Sequence, residues 1–176
     1  MDKVIYFDNN NQTTDLCSGN AYTLFLEYAF SKTDFFMLVY VNYYNKGYTK
    51  KAKAIMKELE PFKIKSRANP SWPGTPGTIC PNTTYKVVFY KNNPLAKSVL
   101  SRAYCLSDWT APQNPQDLAF FKGNQCWFYS VGHEKIAAII RADEEDLCFV
   151  EANGLAKKSS AQEFTDYLLC YDEKLL

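Results

Sequence analysis

The fold is decided by the segment LAFFKGNQCWFYSVGHEKIAAII, residues 118–140. It holds three short apolar runs rich in aromatic and β-branched residues, which favour strands. The runs are separated by Lys122-Gly123-Asn124-Gln125 and by Gly132-His133-Glu134, and both separators are typical of turns. The segment therefore predicts a three-stranded β-meander, with the only histidine of the chain, His133, in its second turn.

Upstream of the meander, predicted strands and helices alternate. The strands are Val4 to Phe7, Phe35 to Tyr43, Phe62 to Arg67 and Tyr85 to Tyr90, and the second is apolar enough to be covered on both faces. One helix is predicted from Ala21 to Ser31 with Asn20 as its cap, and a second from a Thr49 cap to Pro61. A third begins at Asn93-Pro94 and places Leu95, Val99 and Ala103 on one face.

Downstream of the meander, two further helices are predicted. Asp143 to Asp146 opens a short helix that ends at Asn153-Gly154, a favoured terminator. Ser160-x-x-Glu163 is a capping box for a last helix, which would present Phe164, Tyr167, Leu168 and Tyr171. The element order predicts a single α+β domain over residues 1–176, with a mixed sheet, a C-terminal three-stranded meander and flanking helices.

Composition limits the class of protein. A chain of 176 residues fits one domain, and its 16% aromatic content suits either a thick core or a partner surface. The six cysteines are spread evenly without a Cys-x-x-Cys pair, so we expect reduced thiols, no metal and no cofactor. The most apolar region, residues 21–44, is interrupted by three charged residues, and no secretory signal precedes it. We therefore expect a cytoplasmic protein that does not enter the membrane.

Catalysis would have to depend on His133. This histidine can act as a general base if Asp108 or Glu134 orients its imidazole, and Cys126 or Cys105 can then act as the nucleophile. The alternative is a turn histidine that is bonded to the backbone. Phosphate-binding fingerprints are absent from the sequence.

Charge is distributed unevenly along the chain. Residues 46–67 contain eight basic and two acidic residues, a local net charge of +6, whereas residues 143–176 contain nine acidic and three basic residues, a net of −6. The basic residues proposed for binding are Lys50, Lys53, Lys57, Lys63, Lys65 and Arg67. Such a segment attracts an acidic protein or, less favoured here, a nucleic acid. The alternative is a solvated helix face and an edge strand whose lysines hinder aggregation.

The loop between Asn69 and Asn82 is the other candidate for binding. It contains four prolines and two glycines, with Trp72 near its start. The prolines favour an extended, stiff loop, and a tryptophan exposed there would recognise a partner or a small ligand. The alternative is that Trp72 folds back onto the core of its own domain.

Four motifs carry a resemblance to known proteins. They are Leu106-Ser107-Asp108-Trp109, Pro115 to Phe121, Cys126 to Ser130 and Gly132-His133-Glu134. In these motifs the chain resembles small proteins of Firmicutes, some of which are labelled stage III sporulation protein AH. The resemblance implies a bacterial origin and offers a sporulation-associated role, but it implies no catalytic residue.

The favoured interpretation is a non-catalytic protein-binding module. A charge dipole and an aromatic surface on a small protein suit an immunity protein, an antitoxin or an inhibitor of a defence nuclease. The enzyme alternative is a small hydrolase or transferase that uses His133.

Overall fold

The computed structural model describes residues 3–7, 15–43, 47–78, 80, 82–156 and 161–163. Their strands are β1 Lys3–Tyr6, β2 Phe35–Tyr43, β3 Lys63–Ala68, β4 Thr83–Lys91, β5 Gln116–Lys122, β6 Gln125–Val131, β7 Ile136–Ala142 and β8 Ala161–Glu163. Their α-helices are α1 Asn20–Lys32, α2 Lys50–Leu59, α3 Pro94–Leu100 and α4 Glu144–Ala152. Three short 3₁₀ helices span Glu60–Phe62, Leu106–Asp108 and Gly132–Glu134.

The strands form one sheet in the order β3-β4-β2-β5-β6-β7-β1-β8. Every strand pair in it is antiparallel. The predicted α+β single domain and the β5-β6-β7 meander are confirmed, but the mixed sheet is corrected to an antiparallel one. Strands and helices that alternate along the chain are typical of parallel strand pairs, which is why a mixed sheet is predicted. Alternation alone, however, does not determine which strands become neighbours in the sheet. Here β1 and β2, which α1 connects, lie four positions apart.

The four helices cover one face of the sheet. Phe25 of α1, Leu59 of α2, Leu100 of α3 and Val150 of α4 all belong to one buried cluster. The sheet side of that cluster includes Phe36, Phe120, Phe128 and Ile139. Each buried aromatic side chain removes a large apolar area from water, so this cluster stabilises the fold.

A second buried cluster lies on the opposite face of the sheet. In β2, Phe36 and Leu38 face the helices, whereas Met37 and Val39 belong to the second cluster. The prediction that this strand is covered on both faces is therefore confirmed. No described α-helix contributes to the second cluster, but Trp72 does, from the loop between β3 and β4.

Local capping signals placed most helices correctly. The Thr49 hydroxyl accepts a hydrogen bond from the Ala52 amide at 3.2 Å. The Asn93 side chain accepts one from the Leu95 amide at 2.9 Å. Asp143 and Asp146 form a capping box for α4, and Gly154, just beyond that helix, has φ +65°. These bonds satisfy first-turn amides that have no partner inside the helix.

Three local predictions are wrong. Helix α1 begins at Asn20, and its cap position is Gly19, which provides no side-chain bond. Leu95 is 68% exposed, because α3 turns Ala96, Val99 and Leu100 toward the core. Glu163 lies in β8, which pairs with β1, so it does not cap a helix. Ser160 and residues 164–176, the rest of that predicted helix, lie outside the described residues.

Candidate functional site

The basic residues lie on one continuous segment made of α2, the Glu60–Phe62 turn and β3. The side chains that α2 buries are Ala52, Ile55 and Leu59, which places Lys50, Lys53 and Lys57 on its exposed side. Their spacing of three and four residues aligns them in one stripe. None of the three forms an ion pair with a described residue.

Strand β3 continues this surface at the edge of the sheet. Lys63, Lys65 and Arg67 are all exposed there, and among the described strands β3 pairs only with β4. The alternation of apolar and basic residues from Phe62 to Arg67 predicts an edge or half-exposed strand, and β3 is at the edge of the described sheet. We call the exposed side chains of Lys50, Lys53, Lys57, Lys63, Lys65 and Arg67 the basic surface.

The two acids within this segment are already paired. Glu60 forms an ion pair with Lys63. Glu58 accepts two bonds from Arg102, at 2.8 and 2.6 Å, and this bidentate contact lowers the pKa of the Glu58 carboxyl. Glu60 therefore offsets the charge of Lys63, a member of the basic surface, whereas Glu58 is neutralised by Arg102, which lies outside that surface. The other five cations keep the field of the basic surface positive.

The Trp72 side chain is a core residue. It is only 1% exposed, its ring lies 5.1 Å from that of Tyr85, and its Nε1 donates to Oδ2 of Asp117 at 2.8 Å. Of the two alternatives for the proline-rich loop, the structure shows the one in which the tryptophan folds back. Trp72 is corrected from an exposed recognition residue to the anchor that holds this loop against the sheet.

Asp117 is the residue that the sequence analysis missed. It is fully buried, and it accepts hydrogen bonds from Trp72 Nε1, from the Gly132 amide at 2.9 Å and from Gln116 Nε2 at 3.2 Å. Burial raises the pKa of its carboxyl, although these three donors act in the opposite direction. The sequence does contain one signal for this role. Asp117 lies at the start of an apolar strand, and an acid buried there needs hydrogen-bond donors around it.

These bonds join the Trp72 loop to the turn that carries His133, and a cavity of about 510 Å³ lies between them. It is lined by Trp72, Gly74, Thr75, Pro76, Gly77, Thr78, Tyr85, Thr110, Ala111, Gln116, His133 and Glu134. The structure thus brings Trp72, which the sequence suggests for binding, beside His133 and Glu134, which it suggests together for catalysis. Hydroxyl, amide and aromatic groups make this a mixed polar and apolar site.

Of the alternative catalytic set His133, Asp108 and Glu134, only His133 and Glu134 line this cavity. His133 is 53% exposed, and its Nε2 lies 3.6 Å from Oε1 of Glu134, which is too long for a hydrogen bond. Asp108 is not among the lining residues, because its carboxylate accepts the amides of Tyr104 at 2.6 Å and Cys105 at 3.3 Å. Asp108 is therefore corrected from an orienting carboxylate to the cap of the Leu106–Asp108 turn.

The candidate thiol nucleophiles are also held in inert settings. Cys126 is buried, and its thiol donates to the carbonyl oxygen of Phe128 at 3.3 Å. Burial raises the pKa of the Cys105 thiol. A nucleophilic cysteine needs a lowered thiol pKa and access to substrate, and neither position supplies both.

A second cavity, of about 320 Å³, lies beside α4. Its buried carboxylate, Asp146, accepts hydrogen bonds from Tyr28 Oη at 2.8 Å and from Trp127 Nε1 at 3.3 Å. Nζ of Lys32 lies 3.7 Å from Oδ1 of Asp146. Burial raises the pKa of Asp146. These contacts tie α1, β6 and α4 together, so we interpret this cluster as structural.

Within the described part of the chain, no group of three His, Cys, Asp or Glu side chains is placed to hold a metal ion. Among the helices of that same part, none is both long and apolar enough to cross a membrane.

Comparison of this chain with family models, with curated proteins and with solved structures finds no match. The resemblance to Firmicutes proteins therefore stays a prediction.

Proposed function

We propose that this protein is a non-catalytic binding module that recognises an acidic protein through the basic surface. The observation that carries this proposal is the set of six exposed cations along α2 and β3, of which only Lys63 is paired with an acid of the same segment, Glu60. The other acid, Glu58, is paired with Arg102 outside the set. A partner that brings carboxylates to this surface gains new ion pairs without displacing existing ones at Lys50, Lys53 and Lys57. Complementary charge of this kind gives specificity and fast association.

The position of the opposite charge supports the same function. Glu144, Glu145 and Glu151 of α4 are exposed. Helix α4 follows β7, which is five strands from β3 in the sheet order. The two charged regions therefore lie toward opposite ends of the sheet, and a dipole of this kind orients an incoming partner before contact. Within this class we propose an inhibitor, immunity protein or antitoxin, because such proteins act by occupying the surface of another protein.

Capture from a bacterial host extract tests the proposal. The immobilised chain is compared with Lys53→Glu/Lys57→Glu and with a control, Lys122→Glu/Lys135→Glu, which makes the same change in net charge away from the basic surface. Proteins are quantified by mass spectrometry at two salt concentrations. We expect acidic proteins that are retained by the parent and by the control but lost from Lys53→Glu/Lys57→Glu. Equal retention by all three chains would contradict the proposal.

Catalysis by His133 is the second candidate function, since His133 and Glu134 line the 510 Å³ cavity. It would make the protein a small hydrolase or transferase. A screen with ester, amide and glycoside substrates tests it, with His133→Ala and Lys135→Ala compared at matched concentration. Turnover that disappears only in His133→Ala would favour the enzyme over the binding module.

A further inference from the structure

The outer edge of β3 offers backbone groups to a partner, and the ladder bonds identify which ones. The Asn92 amide donates to the Asp34 carbonyl at 2.9 Å, so the even-numbered residues of β4 are bonded to β2. The odd-numbered residues of β4 are then bonded to β3, as the bond from the Asn69 amide to the Tyr85 carbonyl shows. Lys65 and Arg67 pair with Phe89 and Val87 and therefore face β4.

Bonding alternates along an antiparallel strand, so the next residues face the other way. Ser66 and Ala68 pair with Val88 and Lys86, which are bonded to β2, and their own amide and carbonyl groups must point away from the sheet. An edge with outward amides and carbonyls is a template for an added strand. This template lies inside the basic surface.

The side chains of β3 determine which strand can be added. Five of its six residues are exposed, and Lys63, Lys65 and Arg67 carry three positive charges along it. A second copy of β3 would place these cations opposite one another, and like charges directly opposite are destabilising. An acidic strand would instead place carboxylates opposite them. Ile64, 49% exposed where the pairing register shifts, adds an apolar contact.

We propose that β3 accepts an acidic segment of the partner in extended conformation, which adds to the sheet as a ninth strand beyond β3. This inference rests on the proposed function, because it specifies how the basic surface engages the acidic protein. Main-chain bonds to Ser66 and Ala68 supply the attachment, and the cations of β3 and α2 select acidic sequences. An acidic helix or a folded acidic surface would satisfy the proposed function without satisfying this inference.

Amide hydrogen exchange with a model peptide tests the added strand. The probe is a capped peptide of about eight alternating Glu and Thr residues, long enough to span β3. We expect exchange at Ser66 and Ala68 to slow by about tenfold or more at saturating peptide, because new bonds protect these amides. Exchange at Lys65 and Arg67, which already face β4, should change much less.

Two further probes separate strand addition from attraction of charge. A fully N-methylated peptide keeps every carboxylate but has no amide donor, so its affinity should fall by about tenfold or more. An oligothymidylate of equal charge should bind more weakly than the unmodified peptide. The inference would be overturned by equal binding of the N-methylated peptide, by tighter binding of the oligonucleotide, or by no peptide binding at about 1 mM.

The failures of the two proposals are distinguishable. If a captured acidic partner depends on Lys53 and Lys57 but leaves exchange at Ser66 and Ala68 unchanged, the proposed function stands and the added strand is wrong. If host capture is indifferent to the basic surface, the proposed function itself is wrong.

Discussion

At the residue scale, Asp117 organises the site that the sequence had divided among separate candidates. Its carboxylate connects the Trp72 indole and the Gly132 amide, which belong to segments 60 residues apart in the chain. A buried acceptor of this kind is costly to disturb, because each donor left without a partner loses its solvation as well as its bond. The walls of the cavity are therefore held by a residue that does not line it.

Asp117→Asn should destabilise the protein. The asparagine side chain has one acceptor oxygen instead of two, and its amide group would oppose either the Gly132 amide or the donors from Trp72 and Gln116. We expect the free energy of unfolding to fall by about 1–3 kcal/mol, measured by urea denaturation. Glu134→Gln, which changes an exposed carboxylate at the rim, is the control and should stay within about 0.5 kcal/mol of the parent. A stability of Asp117→Asn equal to that of the control would contradict this role.

The raised pKa of Asp117 has a consequence for stability against pH. Since the folded protein binds this proton more tightly than the unfolded chain does, ionisation of Asp117 favours unfolding. The stability contributed by this group is present below the ordinary pKa of an aspartate, about 3.9, and is lost as pH rises through the raised value. The stability of the parent relative to Asp117→Asn should therefore decline with rising pH and then level off. If the stability of the parent relative to Asp117→Asn instead increases with pH, the pKa of Asp117 is lowered and not raised.

The cysteines of the described residues should divide into two reactivity classes. Cys17, Cys105 and Cys126 are buried, whereas Cys80 and Cys148 are exposed. Burial raises the pKa of the Cys17 thiol, which removes its reactive thiolate at neutral pH. Brief alkylation of the native protein, followed by peptide mass spectrometry, should label Cys80 and Cys148 first. Labelling of Cys17 or Cys105 at the same rate would mean that their surroundings open readily to solvent.

At the scale of elements, the sequence predicted features that depend on neighbouring residues better than features that depend on remote ones. Helices α2, α3 and α4 begin at caps that lie within three residues of the amides they bind, so their sequences contain the signal. Strand neighbours are chosen by contacts between remote segments, and the antiparallel order was therefore not predictable from alternation. The same reason explains why Asp117 was missed: its partner Trp72 is 45 positions away.

The proline-rich loop depends on a glycine at one position but not at another. Gly74 has φ +84°, and a Cβ there would lie 2.6 Å from the ring of Tyr129, which is itself buried. Gly77 has open space around it. Gly74→Ala should lower the free energy of unfolding by about 1–3 kcal/mol through backbone strain and steric clash, whereas Gly77→Ala should have little effect. Thermal melts of the two variants check this, and equal midpoints would mean that the loop is not held against the sheet.

At the scale of the whole molecule, the sequence predicted the charge asymmetry, and the fold adds its geometry. The basic segment lies at one edge of an eight-stranded sheet, and the acidic α4 follows a strand near the other end. The sequence could not show that the backbone groups of Ser66 and Ala68 face away from the described strands, because edge position depends on the order of the strands. The sequence also could not predict the ion pair between Glu58 and Arg102, because these residues are 44 positions apart.

Reversing the charge of the three α2 lysines should change binding to an acidic partner while leaving the stability of the fold nearly unchanged. Lys50, Lys53 and Lys57 lie outside the buried face of α2, so changing all three to Glu should move the melting midpoint by only a few degrees. The same change removes the attraction that steers an acidic partner, and we expect the association rate constant to fall much more than the dissociation rate constant rises. The dependence of that rate on ionic strength should also weaken, since fewer charges act at long range. Surface plasmon resonance at several salt concentrations, with the parent chain and Lys122→Glu/Lys135→Glu alongside, measures both effects. If the triple variant associates as fast as the parent, the α2 stripe is a solvated helix face, and the cavity beside His133 becomes the stronger candidate for binding.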